Sequence, residues 1–228
     1  FKRVTNCRAC KSTDLVEVFR FDRAMPLANA FVKPGGEHPG FTPMEVLFCR
    51  ACTLAQLSIV VDPKILYAEY LYTTSNSVTM QRHFDRLTKD IISENGAGSL
   101  LEVGCNDGRF LNYAASRNFT PCVGIDPAAN LNGTIEPGKN VTLVTGFFGK
   151  HMKEATCPTY DNILARHCFC HQEWRPFMDG VTAFAHKETL VCIEVPYVPD
   201  LLERVEFDSL YQEHTSYLTL KSVVALLK

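Results

Sequence analysis

"LLEVGCNDGRFLNYA", residues 100–114, is the stretch on which the reading of this chain turns. An apolar run ends in Glu102, Gly104 and Gly108 bracket a tight turn, and a helix-length stretch follows. Backbone free of side chains can approach a ligand closely, and the first N–H groups of a helix are open to hydrogen bonding. The same rhythm continues around it. "PCVGID", "VTLVTG", "DNILARH" and "TLVCIEVP" are short runs rich in Val, Ile and Leu, separated by helix-length segments. Such runs read as strands covered on both faces. Strand alternating with helix predicts an α/β fold, a Rossmann-like doubly wound parallel sheet of five strands, before the chain enters "LTLKSVVALLK", read as a helix.

The loop narrows the choice of ligand. A dinucleotide fingerprint, G-x-G-x-x-G, requires glycine at 106 and 109, where Asn106 and Arg109 stand. The acid-x-G-x-G-x-G loop of S-adenosylmethionine (SAM) methyltransferases is met at Glu102, Gly104 and Gly108, with Asn106 off pattern. Asp126 closes the next run, 24 residues after Glu102, where a ribose diol would lie. A carboxylate accepts hydrogen bonds from both hydroxyls of a diol. Glu102, Gly104, Asn106, Gly108 and Asp126 together predict SAM as cofactor, against a plain structural turn.

Upstream, four of the ten cysteines form two Cys-x-x-Cys pairs, "NCRACKS" (Cys7, Cys10) and "FCRACTL" (Cys49, Cys52). Tetrahedral Zn²⁺ takes four thiolates, and each short pair can bend round it as a knuckle. The linker between the pairs, 38 residues, exceeds the usual ~15–20, so a loop or small sheet must fill it. One pair alone would leave a redox role open; two near-identical pairs favour a structural zinc. With all four positions taken by cysteine, no place remains for a catalytic water. Cys105, Cys122, Cys157, Cys168, Cys170 and Cys192 read as small buried hydrophobes.

The first 62 residues are short extended segments between turns rich in Pro and Gly ("KPGGEHPGFTP", residues 33–43), and read as a zinc-binding domain. Residues 63–97 read as a helical connector. "PKILYAEYLYTT" opens with a first-turn proline, and "VTMQRHFDRLTKDII" places Met80, Phe84, Leu87 and Ile91 on one face. "ENGAG" (94–98) ends that helix. Residues 98–228 read as the SAM-binding domain. Net charge of −2 gives no electrostatic reason to expect nucleic acid or an anionic membrane as partner. No apolar run has the ~18 residues of a membrane span and no signal peptide opens the chain, so a cytoplasmic protein is expected. The Asn-x-Thr triplets at Asn118, Asn132 and Asn140 then read as coincidence.

"FDSLYQEHTSYLTL", residues 207–220, crowds Tyr211, Glu213, His214 and Tyr217 together. If 211–214 are extended, Tyr211 and Glu213 face one way and Gln212 and His214 the other; if helical, Tyr211 and His214 share a face. Tyr72 closes an amphipathic stretch, where it would be core, while "TTSNS" after it argues for a loop near a ligand.

With these segments in place, the chain resembles the sugar C-methyltransferases that make branched deoxysugars. The match rests on the four-cysteine region, "MPLANAF" (25–31), "YLYTTSNS" (70–77), "EVGCNDG", "GIDPAAN", "ARHCFCH" (165–171), "IEVPYV" (193–198) and "FDSLYQEHTSY". The resemblance implies a nucleotide-linked keto-deoxysugar substrate and a base that removes the proton beside its ketone, leaving an enolate to attack the methyl of SAM. It implies His214 as that base, with Glu213 beside it, and Tyr72, His171 and Tyr211 lining the sugar and its oxyanion. Histidine suits the role, since its ordinary pKa of ~6.5 lies near working pH. The family usually shows Tyr-His-Glu-His, and Gln212 departs from it. Family members also carry a further C-terminal domain that closes over the sugar nucleotide, so the chain reads as a SAM-dependent methyltransferase truncated at its C-terminal side, with its activity on its own in doubt. Three rival readings are an O- or N-methyltransferase on another small molecule, a non-catalytic zinc-containing interaction module, and an NAD-dependent enzyme. Asn106 and Arg109 disfavour the last.

Overall fold

The computed structural model describes residues 1–28, 31–38, 40–74, 78–149, 152 and 157–227. Asn29, Ala30, Pro39, Ser75, Asn76 and Ser77, which fall within motifs quoted above, lie outside the described residues. The chain forms two compact units, one of residues 1–66, 170–174 and 195–228, the other of residues 67–169 and 175–194.

The second unit is built on a parallel five-stranded sheet. In chain order its strands are β1 (Leu100–Val103), β2 (Cys122–Asp126), β3 (Val141–Thr145), β4 (Tyr160–Arg166) and β5 (Ala185–Glu194). In space the order is β3-β2-β1-β4-β5, with every pairing parallel. The chain therefore reverses direction between β1 and β4, the switch point at which open α/β sheets bind ligands beyond the strand ends. β1 is buried at all four positions, as its unbroken apolar run requires. The long helix Val78–Asn95 lays Phe84 and Ile91 into the core with Leu100, Phe110, Leu111 and Phe119, and Met80 and Leu87 pack on its edge. Gly96, at φ 81°, ends the helix, its N–H donating to the Ile92 carbonyl.

The helix expected over "PKILYAEYLYTT" is shorter than its pattern. It spans Pro63–Tyr67, and beyond it tertiary pairing takes the backbone groups. Tyr70 N–H donates to Asn130 Oδ1 at 2.9 Å, Asn130 Nδ2 to the Tyr70 carbonyl at 2.8 Å, and Ala129 N–H to the Ala68 carbonyl at 3.2 Å.

The first unit contains a four-stranded antiparallel sheet of Leu15–Arg20, Glu45–Cys49, Ala55–Leu57 and Ser216–Tyr217. The sequence reading ran one domain from 98 to 228; residues 195–228 instead group with the first 66. The reason is the pairing of Ser216 with Gln56 and Tyr217 with Ala55. Met44, Val46, Leu57 and Tyr217 form the core of this unit. The closing helix Leu220–Leu226 begins with a capping box between Thr219 and Ser222. Among the described residues no helix is long and apolar enough to cross a membrane.

Candidate active site

In the second unit, the turn after β1 carries three left-handed residues: Gly104, Asn106 and Gly108, at φ 69°, 54° and 79°. Glycine enters that region freely, and asparagine more readily than most other residues. Asn106 therefore preserves the backbone shape of the off-pattern position and adds a side chain that works as a clamp. Its Oδ1 accepts from the Thr74 N–H at 2.9 Å, and its Nδ2 donates to the Tyr72 carbonyl at 2.9 Å. Tyr72 is 58% exposed in this loop, so it is not the core residue its amphipathic stretch allowed. Side chains are excluded at the flanking glycines: a Cβ on Gly104 would meet Cys168 Cβ at 2.6 Å, and one on Gly108 would meet Leu143 at 2.7 Å.

Asp126 ends β2 beside this turn. It accepts from the Asn106 N–H and the Ala128 N–H, each at 2.9 Å. Glu102 looks inward. It is fully buried, and its Oε1 takes both Arg166 Nη2 at 2.6 Å and Nε at 2.9 Å. The Arg166 guanidinium lies 4.4 Å from the ring centre of Phe110 and 5.1 Å from that of Phe84. Burial pushes Glu102 up to about 7 against the opposing Arg166, with Asp126 and Asp107 adding to the rise. Burial likewise raises Asp107 and Asp126.

A cavity of about 410 Å³ opens at the ends of β2 and β3, lined by Ile125, Val144, Gly146, Phe147, Phe148 and Met152 among others. It adjoins the diol candidate, since Gly146 N–H donates to the Asp126 carbonyl at 2.9 Å. Sequence reasoning missed this lining, whose signal was the run "VTGFFG" after the third strand.

Four of the five catalytic candidates come together in the first unit. Residues 211–214 form a turn closed by His214 N–H donating to the Tyr211 carbonyl at 3.1 Å, so Tyr211 and His214 share a face, as the helical alternative requires. His214 Nδ1 lies 2.9 Å from the Ser209 carbonyl. A carbonyl only accepts, so Nδ1 carries a proton, and in the neutral imidazole Nε2 carries the lone pair. Tyr211 Oη donates to that Nε2 at 3.0 Å. Burial, with Glu213 and Cys170 adding, raises Tyr211 well above the usual phenol range, which keeps it a donor. His171 is held in the same tautomer, its Nδ1 donating to the Glu213 carbonyl at 2.8 Å, and the two imidazole centres are 4.9 Å apart. Glu213 itself is fully buried. Gln212, the departure from the family pattern, donates from Nε2 to the Pro26 carbonyl at 2.8 Å and accepts from the Ala28 N–H at 3.3 Å.

The same unit gathers the four paired cysteines. Cys7 and Cys52 Sγ are 3.5 Å apart, Cys10 and Cys49 Sγ 3.6 Å, and all four lie within 4.8 Å of one another. These separations approach the edge of a tetrahedron with Zn–S bonds of ~2.3 Å. The two knuckles share one turn. Lys11 and Thr53, each four residues after the first cysteine of its pair, both have φ 64° and donate their N–H to that cysteine's carbonyl. The donor set fits structural zinc. None of the ten cysteines is in a disulfide. Of the six others, Cys105, Cys122 and Cys170 are buried as expected, while Cys157, Cys168 and Cys192 are partly exposed.

A family model described as "Methyltransferase domain" matches residues 78–228, and one described as "Putative zinc binding domain" matches residues 7–67. The C-methyltransferase NovU of Streptomyces niveus is 32% identical over 232 residues, covering 98% of this chain and 54% of that protein. The chain thus spans about half the length of that relative. Among solved structures, the plantazolicin methyltransferase BpumL in complex with SAH aligns with a TM-score of 0.50 at 18% identity, over 65% of this chain and 64% of that one. A SAM dependent methyltransferase from Archaeoglobus fulgidus aligns with a TM-score of 0.50 at 17% identity, over 64% and 66%. At these identities the likeness is one of fold, and it agrees with the parallel sheet. Since its family model covers most of the residues, the chain belongs to the methyltransferase domain family.

Proposed function

We propose that this chain serves SAM-dependent methylation of carbon in a nucleotide-linked keto-deoxysugar, through a base-generated enolate. The observation that carries the reading is the fixed tautomer of His214, whose Nε2 lone pair meets the Tyr211 phenol. A base also serves methylation of a hydroxyl or amine, whereas methylating carbon needs it to remove a C–H proton beside a ketone before the methyl can be taken. Similarity to a protein named a C-methyltransferase supports this reading, as does the "YQEH" resemblance.

SAM, when bound, supplies an electrophilic methyl group. In the proposal, the Gly104–Gly108 turn approaches it with bare backbone, Asp126 accepts from its ribose hydroxyls, and the cavity beside Ile125 and Phe147 takes its adenine. His214 Nε2 takes the proton from the carbon beside the ketone. Tyr211, released as Nε2 takes up the proton, donates to the oxygen on which charge develops, as an oxyanion hole does, while His171, its Nδ1 proton held on the Glu213 carbonyl, lines the sugar. Glu213 holds His171 through its carbonyl, Tyr72 lies at the donor turn, and the four cysteines hold structural zinc. The protein works in the cytoplasm on a small molecule, without nucleic acid or membrane.

The test is solvent deuterium incorporation beside the ketone of such a sugar nucleotide, in the presence of S-adenosylhomocysteine. His214→Ala should slow incorporation by ~10²–10⁴ while leaving S-adenosylhomocysteine binding intact. Unchanged incorporation in His214→Ala would remove the base assignment. Methylation at oxygen with no incorporation would select the O-methyltransferase rival.

A further inference from the structure

The acid–base cluster holds one group that proton abstraction does not use. Cys170 is 2% exposed, adjoins His171 in sequence, and is tied to the turn by the Thr215 hydroxyl, which donates to its carbonyl at 2.9 Å. The ligating atoms of Cys170, His171 and His214 all lie within 4.8 Å of one another. Both imidazoles hold Nδ1 on a backbone carbonyl, which fixes ring orientation, and Nε2 of His214 meets the Tyr211 phenol, which a metal would displace. Metal-ligating histidines are oriented in this way by their other nitrogen. One thiol and two imidazoles form a borderline-soft set of three, and three protein ligands with an open fourth position are the pattern of accessible zinc sites. The two histidines are only partly buried, which gives an ion a path to the buried sulfur.

We propose that Cys170, His171 and His214 form a second zinc site, separate from the four-cysteine site, whose occupation takes the lone pair of His214. Cys170 enters as thiolate, its proton passes to solvent, and water fills the fourth position. The inhibitory consequence rests on His214 being the base; the binding does not. Zinc therefore acts twice on this chain, holding the fold through four thiolates and blocking the proton-taking step through one thiolate and two imidazoles.

The test titrates Co²⁺ into the whole chain carrying one equivalent of zinc in its four-cysteine site, reading the thiolate-to-cobalt charge-transfer band. A second equivalent should bind as a tetrahedral species and be displaced by Zn²⁺. Its thiolate band should vanish in Cys170→Ser, and its affinity should fall at least ~10-fold in His171→Ala. Retention of one zinc per chain shows that a variant remains folded; should Cys170→Ser lose it, His171→Ala carries the test. No second equivalent in wild type, or a thiolate band that survives Cys170→Ser, overturns the proposal. If His214→Ala loses cobalt affinity yet keeps deuterium incorporation, the metal site stands and the base assignment falls. If it loses incorporation while wild type binds no second metal, the metal site alone falls.

Discussion

Tyr211 Oη sits 3.0 Å from Nε2 of His214, three residues further along the same turn. The phenol marks the lone pair that the proposed reaction uses, and its proton is held firmly by burial. Tyr211→Phe keeps the ring and removes this donor. Deuterium incorporation should fall by ~10²-fold, in line with loss of one preorganised donor, while the thermal midpoint changes little. Incorporation at the wild-type rate would make Tyr211 a packing residue.

Asn106 supports two predictions of opposite backbone cost. Asn106→Gly restores glycine at the off-pattern position, keeps φ 54° without strain, and loses the bonds to Tyr72 and Thr74. Asn106→Ala loses the same bonds and adds ~1 kcal/mol or more of left-handed strain. With each neutral hydrogen bond worth ~1 kcal/mol net, urea denaturation should rank wild type above Asn106→Gly and that above Asn106→Ala. Equal stability of the two variants would remove the role given to φ.

Removing zinc should open the sheet that the knuckles border. The binding free energy of a structural zinc is folding free energy, on the order of 10 kcal/mol. A strong chelator, or Cys49→Ser, should abolish hydrogen-exchange protection at Val46 and Leu57, whose backbones pair across this sheet. Retained protection after measured zinc release would make the metal ornamental.

Glu102 makes stability depend on pH with a definite sign. Its folded value of about 7 lies above the ordinary ~4.3. Between those values the folded chain binds the proton more tightly than the unfolded chain, so stability falls as pH rises through that window and levels off above it. Raised Asp107 and Asp126 act in the same direction. The urea midpoint should therefore be higher at about pH 5 than at about pH 7.5, with a shallower difference in Glu102→Gln. An unchanged slope in that variant would clear Glu102 as the cause.

What the sequence disclosed follows from the range of the interactions involved. The five strands were legible as short apolar runs, β1, β2 and β4 buried along most of their length and the edge strands β3 and β5 less so, and the face of Phe84 and Ile91 because helical spacing is local. The cysteine pairs announced themselves by two-residue gaps. Less legible were pairings across long stretches of chain. Gln212 reaches back to Pro26 and Ala28, so the residue that departs from the family pattern holds a backbone segment. Glu102 looked like a ligand acid from its place in the motif, and its tie to Arg166 required β1 and β4 to be neighbours. The strand Ser216–Tyr217 is only two residues long and carries no pattern of its own; its partner at Ala55–Gln56 decides it.

One buried side chain gives the zinc knuckle a reach beyond its own turn. Gln56 is fully buried, accepts from the Arg8 N–H at 2.8 Å and donates to the Asn6 carbonyl at 3.1 Å, so it holds both flanks of Cys7. Its strand also carries the closing segment: Ser216 pairs with Gln56, and Leu57 N–H donates to the carbonyl of Thr215, the residue after His214. Arg8 adds a second tether, donating at 3.2 Å to the carbonyl of Gln172, next to His171. Under chelation, then, the proposed proton-taking step would fail at the pace at which zinc leaves.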